Sequence, residues 1–208
     1  MDSLLKDTIK YYDENAAGFS ADTLNVEFSD MQNRFLSCVK EDFPGISAGD
    51  IRLLDFGCGA GRDVRYFSGA GFSVDAVDGS SELCRIVKEE TGVDAKNIYF
   101  QDFNETVKYN GIWACASLLH LKSEELGTVI KNLEKSLVPG GILYVSFKYG
   151  DFEGMRNGRY FTDMTEDRFM ELVSENTELE TTYMWITEDV RKGREGEKWL
   201  NVLLRKNS

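Results

Sequence analysis

The run Leu53-Leu54-Asp55-Phe56-Gly57-Cys58-Gly59-Ala60-Gly61-Arg62-Asp63 is where this sequence could first do chemistry. Glycines on alternate positions let a backbone approach a ligand more closely than residues with a Cβ allow. After the next apolar segment comes Asp78, where a carboxylate can accept hydrogen bonds from ribose hydroxyls. A glycine turn and a distal carboxylate together predict an adenosine-containing ligand. Its charge is legible too. A dinucleotide site uses G-x-G-x-x-G and an electropositive loop for the pyrophosphate. Here the third glycine comes one place early, Arg62 replaces a small residue, and Asp55 brings a carboxylate to the same turn. A phosphate-free cation suits that loop better.

Other groups could act on a second ligand. His120 is the chain's one histidine and lies in Ala116-Ser117-Leu118-Leu119-His120-Leu121, where an imidazole could remove a proton. Arg159, in the polar stretch 151–161, can grip a carboxylate through two parallel N–H donors. Trp185, Arg191 and Arg194 are alternative contacts. No Ser-His-Asp order and no H-E-x-x-H can be assembled. The four cysteines, Cys38, Cys58, Cys84 and Cys115, are widely spaced with no histidine cluster, so no metal is expected and the thiols are expected to be reduced.

The elements that must position these groups alternate between short apolar runs and helical periodicity, the sign of βαβ units and a parallel sheet. Strands are expected at 51–56, 72–77, 96–100, 111–116 and 142–147, and helices at 60–70, 81–91 and 123–137. Ser123 is the expected cap of the last of these, and Pro139-Gly140-Gly141 its stop. Residues 148–164 read as a long polar loop. A helix at 166–174 and two strands at 178–187 and 197–204, close enough to pair antiparallel, complete the chain. Two N-terminal helices are expected at 3–14 and 26–40, the second with Val26 and Phe28 on its apolar stripe.

At 208 residues the chain suits one α/β domain. It divides into an N-terminal helical lid (1–45), a cofactor-binding core (46–148) and an acceptor-side loop, helix and hairpin (149–208). A net charge of −12 would repel a phosphate backbone, so no nucleic-acid partner is expected. The stretch Met1-Asp2-Ser3-Leu4-Leu5-Lys6-Asp7 lacks the basic and apolar regions of a leader, and no segment reaches the length of a membrane span, so no membrane partner and a cytoplasmic location are expected.

The D-x-G-x-G-x-G turn followed by an acidic end to the second strand resembles the class I S-adenosylmethionine-dependent methyltransferases over about residues 50–148, and the second half looks like the small bacterial members called type 11 or 12. The resemblance implies a doubly wound, Rossmann-like, seven-stranded and mostly parallel sheet with an antiparallel last strand. It implies S-adenosyl-L-methionine as cofactor, with Asp55, Gly57, Gly59, Gly61 and Arg62 along its methionine part. Asp78, with Gly79 and Ser80 beside it, would take the ribose. Asp102 would accept from the adenine amino group, with Phe103 lending a backbone donor, and Ala116, Ser117 and Leu118 would line the sulfonium and acceptor pocket. Tyr12, in Tyr11-Tyr12-Asp13, resembles the aromatic lid of small-molecule methyltransferases, as does Phe19. Methyl transfer from a sulfonium is an in-line displacement that gains rate from alignment and exclusion of water, so His120 and Arg159 are candidate catalytic groups without a base being required. The family's nucleic-acid branch carries D/N-P-P-Y/F after strand four, or a Pro-Cys nucleophile; neither is present, which favours a small-molecule acceptor. Two rival readings are a methyltransferase-like module that binds cofactor without turnover and an NAD-dependent oxidoreductase.

Overall fold

The computed structural model of the chain describes residues 3–191 and 193–207. Met1 and Asp2, on which part of the leader argument falls, lie outside these, as do Lys192 and Ser208 of the expected acceptor-side region. Two helices come first, α1 (Ser3–Thr23) and α2 (Ser29–Asp42). A β/α alternation follows: β1 (Arg52–Phe56), α3 (Arg62–Gly69), β2 (Ser73–Asp78), α4 (Ser81–Thr91), β3 (Lys96–Asn97), β4 (Tyr109–Ala114), α5 (Ser123–Ser136) and β5 (Leu137–Lys148). The rest is a hairpin of β6 (Glu153–Arg156) and β7 (Arg159–Thr162), then α6 (Glu166–Asn176), β8 (Glu180–Glu188) and β9 (Lys198–Arg205).

Seven strands form one sheet in the order β3-β2-β1-β4-β5-β9-β8. The first five are parallel, while β9 runs antiparallel between β5 and β8. Strand alternation sends successive side chains to opposite faces, so each face builds its own core. Leu54, Ile112, Leu143 and Val145 pack with Leu126, Ile130 and Leu133 of α5 and Phe169 of α6. On the other face Leu53, Trp113 and Tyr144 pack with Phe35 of α2 and Phe67 of α3, and the Trp113 and Tyr144 rings stack at 3.9 Å. Helices on both faces of a mainly parallel sheet make the doubly wound arrangement, with β1 and β4 central and their C-terminal ends at the switch in strand order. Among the described residues no helix is long and apolar enough to cross a membrane.

Several boundaries differ from the sequence expectation, each for a local reason. α1 runs on to Thr23, carrying Phe19 on the same helix as Tyr12. Val26 and Phe28 precede α2, and Phe28 places its ring under Arg62, with the guanidinium carbon 4.3 Å from the ring centroid. The third strand stops after Asn97, and a 3-10 turn at Phe100–Asp102 folds Phe100 onto Phe56, their rings stacked 4.4 Å apart. β5 takes in Pro139, Gly140 and Gly141 instead of ending there, with the Gly140 N–H donating to the Lys206 carbonyl and the Lys206 N–H to the Gly141 carbonyl. At the head of α5 the Glu125 carboxylate accepts the Lys122 backbone N–H, and Ser123, expected as the cap, spends its own N–H and hydroxyl on Glu153.

The expected 148–164 loop is largely the β6/β7 hairpin. Asn157 (φ 51°) and Gly158 (φ 79°) form its two-residue turn, the left-handed pair that matches the twist of adjoining strands.

Candidate functional site

The glycine turn leaves the end of β1 through three left-handed glycines, Gly57 (φ 86°), Gly59 (φ 54°) and Gly61 (φ 90°). Gly57 is obligatory on two counts. Its backbone region penalises any L side chain, and a Cβ there would come within 2.3 Å of the Ser117 Cβ. The Gly57 and Cys58 N–H groups both donate to the Val77 carbonyl, tying the turn to β2. Asp78, at the end of β2, completes the brace: one carboxylate oxygen accepts the Gly59 N–H at 2.9 Å and the other the Ser80 N–H at 2.9 Å.

A cavity of about 280 Å³ opens along the C-terminal edge of the sheet, from this turn across β4 and β5 to the β8–β9 connection. Of the expected site residues, Tyr12, Gly57, Gly59, Arg62, Asp78, Gly79, Ala116, Ser117, His120 and Arg159 line it. Arg191 and Arg194 also reach it, whereas Trp185 lies elsewhere, with the Arg34 guanidinium over its ring.

Others are not on the cavity surface. Asp55 is buried beneath the turn, its Oδ2 without a hydrogen-bond partner. Gly61 ends the turn at the head of α3, where a Cβ would press on Val87 and Thr91 at 3.3 Å. Ser80 caps α4, accepting the Leu83 N–H while donating to Asp13. Asp102 is exposed, because the 3-10 turn that brings Phe100 inward rotates Asp102 outward. Phe103 and Leu118 are buried in the core over Phe56 and β4.

Tyr99 and Phe100 line the wall beside Gly79 instead. Their ring positions depend on β3 stopping early, which no local pattern in the sequence signals. Asp63 and Phe28 were likewise missed as cavity residues, although an acid next to Arg62 was visible.

Charge is concentrated at the glycine end. Burial first, and then the neighbouring Asp63 and Asp78 carboxylates, push the Asp55 carboxyl well above its usual range, against the pull of Arg62. Burial likewise pushes Asp78 up to about 6, with the Ser80 and Gly59 N–H groups working the other way. Arg62 is held charged despite its burial by Asp63, which it grips from Nε at 2.9 Å and Nη2 at 2.8 Å. Gln32 from α2 donates to the same Asp63 at 2.6 Å. Nearby, the Ser117 hydroxyl is buried and unpartnered, in a turn where Ala116 adopts φ 52° and its N–H is held by Ser146 Oγ at 2.8 Å. Burial raises the Cys115 thiol to about 12, so it is no nucleophile at neutral pH.

Over the middle of the cavity, α1 is strapped down at Tyr12. His120 Nδ1 lies 2.7 Å from the Tyr160 carbonyl, which can only accept, so this nitrogen carries the proton. Nε2 is then the acceptor, and the Tyr12 hydroxyl donates to it at 2.7 Å. Arg159 Nη1 donates to the Tyr12 oxygen at 3.2 Å. Burial, reinforced by the Arg159 charge, holds His120 down at about 4, so the imidazole is neutral. Burial raises the Tyr12 phenol and Arg159 partly offsets it. Next to Tyr12, Asp13 accepts from the Ser80 hydroxyl at 2.6 Å and from the Glu82 N–H at 3.2 Å, fixing the same helix to α4.

This geometry can be set beside known proteins. A family model described as a methyltransferase domain matches residues 28–178. An uncharacterized methyltransferase of Staphylococcus carnosus (strain TM300) is 26% identical over 152 residues, 70% of this chain and 73% of that protein. Among solved structures, the Burkholderia thailandensis 1,6-didemethyltoxoflavin-N1-methyltransferase, with bound 1,6-didemethyltoxoflavin and S-adenosylhomocysteine, has a TM-score of 0.72 at 19% identity, covering 99% of this chain and 88% of its own. The magnesium protoporphyrin IX methyltransferase of Synechocystis PCC 6803, with bound SAM, has a TM-score of 0.70 at 14% identity, covering 100% and 99%. At those identities the solved structures share the fold, while the family match runs from the residue before α2 to beyond α6. The chain belongs to the methyltransferase domain family.

Proposed function

We propose that the protein transfers a methyl group from S-adenosyl-L-methionine to a small-molecule acceptor. The observation that carries this reading is the concentration of carboxylates around the glycine turn, with Asp55, Asp63 and Asp78 all buried within one electrostatic neighbourhood. Burial pushes the Asp55 and Asp78 carboxyls up, and such desolvated acids favour a cation and disfavour a pyrophosphate. S-Adenosylmethionine offers an ammonium and a sulfonium without phosphate, and when bound it supplies an electrophilic methyl carbon. The unpartnered Ser117 Oγ, on a residue that lines the cavity beside Gly57, fits such a ligand.

In this reading the backbone of Gly57 and Gly59 faces the methionine part with Asp55 acting from beneath the turn, and Asp78 accepts the ribose hydroxyls while still bracing Gly59. Tyr99 and Phe100 flank the adenine. The chain's own contribution to the reaction is alignment and exclusion of water: α1 covers the cavity through Tyr12, and the neutral His120 keeps that hydroxyl oriented. The chain acts as one domain, with the helices before residue 46 as lid, 46–148 holding the cofactor and 149–208 shaping the acceptor side. The reaction belongs in the cytoplasm, a reading supported by the four cysteines being free. The solved toxoflavin and porphyrin methyltransferases act on small molecules, which supports an acceptor of that class here.

Calorimetric titration with S-adenosylmethionine, S-adenosylhomocysteine and NAD tests the cofactor, and release of S-adenosylhomocysteine against a metabolite panel tests turnover. Binding of NAD in place of the sulfur compounds would overturn the reading.

A further inference from the structure

The acceptor half of the cavity differs in charge from the cofactor half. Five basic side chains line it, Lys148, Arg156, Arg159, Arg191 and Arg194, in a chain whose net charge is −12. Four of them are occupied. Arg156 pairs with Asp163 at 2.8 Å, Arg191 with Asp189 at 2.6 Å, and Lys148 and Arg194 both with Glu197. Arg159 alone among these five, within the described residues, has no carboxylate partner. Its Nη1 is spent on the Tyr12 hydroxyl, while Nε is buried and has no hydrogen-bond partner.

That pattern leaves one particular edge of the guanidinium unused. With Nη1 engaged, the remaining parallel donors are Nε–H and Nη2–H, the side-on fork that matches the two oxygens of a carboxylate. The surroundings hold the fork in place. The guanidinium carbon lies 4.6 Å from the Tyr11 ring centroid and 5.1 Å from that of Phe161, and the Asn157-Gly158 turn fixes the start of β7. A buried donor of a charged group left unsatisfied destabilises the protein until a ligand accepts from it. A rigid arginine carrying that cost at a ligand cavity is poised for an anion.

We propose that the acceptor carries a carboxylate, gripped side-on by Arg159 Nε and Nη2 beneath the aromatic wall of Tyr12 and Phe161. The inference rests on the methyl-transfer reading and adds the acceptor's chemical class to it. Arg159 is then a specificity-determining residue: it holds the anionic end of the acceptor and, through Nη1, the Tyr12 hydroxyl, so that acceptor and lid are registered by one side chain.

The test uses the full chain saturated with S-adenosylhomocysteine, whose affinity is first measured by calorimetry for the wild type, Arg159→Gln and Arg159→Lys. Benzoate, phenylacetate and nicotinate are then titrated beside benzamide, phenylacetamide and nicotinamide. At least one acid is expected to bind the wild type tenfold or more tightly than its amide. Arg159→Gln should abolish that preference, and Arg159→Lys, which keeps the charge but not the fork, should reduce it. No acid preference, or a preference that survives in Arg159→Gln, would overturn the proposal. Because all titrations are made at saturating S-adenosylhomocysteine, a weaker cofactor affinity caused by loss of the Nη1–Tyr12 bond does not enter the acid preference. Failure of the wild type to bind S-adenosylhomocysteine at all would instead sink the methyl-transfer reading on which the proposal stands.

Discussion

The Tyr12 hydroxyl and His120 Nε2, 108 residues apart in sequence, share a 2.7 Å hydrogen bond over the middle of the cavity. The bond is directional because the Tyr160 carbonyl takes the proton on the other ring nitrogen. A helix that precedes the whole sheet is thereby latched to the turn after β4.

Tyr12→Phe removes the donor and leaves Nε2 enclosed without a partner. The expected cost is about 1–3 kcal/mol of stability, read by denaturant unfolding. S-Adenosylhomocysteine affinity should fall at the same time as α1 loosens, with faster proteolysis in α1. Unchanged proteolysis and affinity would mean that the latch does not hold the lid.

His120 is the chain's single histidine, so its resonances need no assignment by mutation. Nitrogen-15 NMR should show the Nδ1–H tautomer at neutral pH and a midpoint near 4 instead of 6.5. Because the folded value lies below the unfolded one, this group's contribution to stability is complete above about 6.5 and declines as pH falls toward 4. An Nε2–H tautomer would contradict the direction given to the Tyr12 bond.

Asp78 should make cofactor binding pH-dependent with a sign set by its raised pKa. Accepting ribose hydroxyls needs the carboxylate, and below about 6 the protonated form prevails. S-Adenosylhomocysteine affinity should therefore weaken as pH drops through 6, approaching about tenfold per unit. Asp78→Asn should bind roughly 100-fold more weakly, as expected for two hydrogen bonds to a charged group, and with that dependence lost. Calorimetry between pH 5 and 8 decides, and a flat wild-type profile would remove Asp78 from the ribose.

Gly57→Ala combines a left-handed backbone position with a 2.3 Å overlap on Ser117. The backbone strain alone is worth about 1–2 kcal/mol, and the overlap displaces the turn after β4. Unfolding should report a larger loss than strain accounts for. Adding Ser117→Gly should restore only the part due to overlap; full restoration would mean that strain at Gly57 costs nothing.

The fold was legible wherever local pattern and long-range pairing agree. The glycine turn, Asp78 and α4, expected at residues 81–91 and found there, rest on spacing that no tertiary contact overrides. The β6/β7 hairpin carried a readable signal in Asn157-Gly158, which the glycine-rich polar composition around it masked. The positions of Asp102 and Phe103 were not legible, because they follow from where β3 ends, and that is set by only two residue pairs with β2. Nor could spacing show that Arg159 meets Tyr12 or that Asp63 neutralises Arg62. Those contacts join segments whose proximity, or rotamers, exist only once both faces of the sheet are covered.

The placement of β9 between β5 and β8 bears on how the molecule assembles. Until the ribosome has delivered residues 198–205, β5 remains an open edge with unsatisfied peptide groups, and β8 has no neighbour to join. Trp199 and Asn201, which close the cavity's far wall, arrive on that same strand. The nascent protein thus has its glycine turn and Asp78 well before it has a finished acceptor chamber, and one late insertion both seals the sheet and builds that wall.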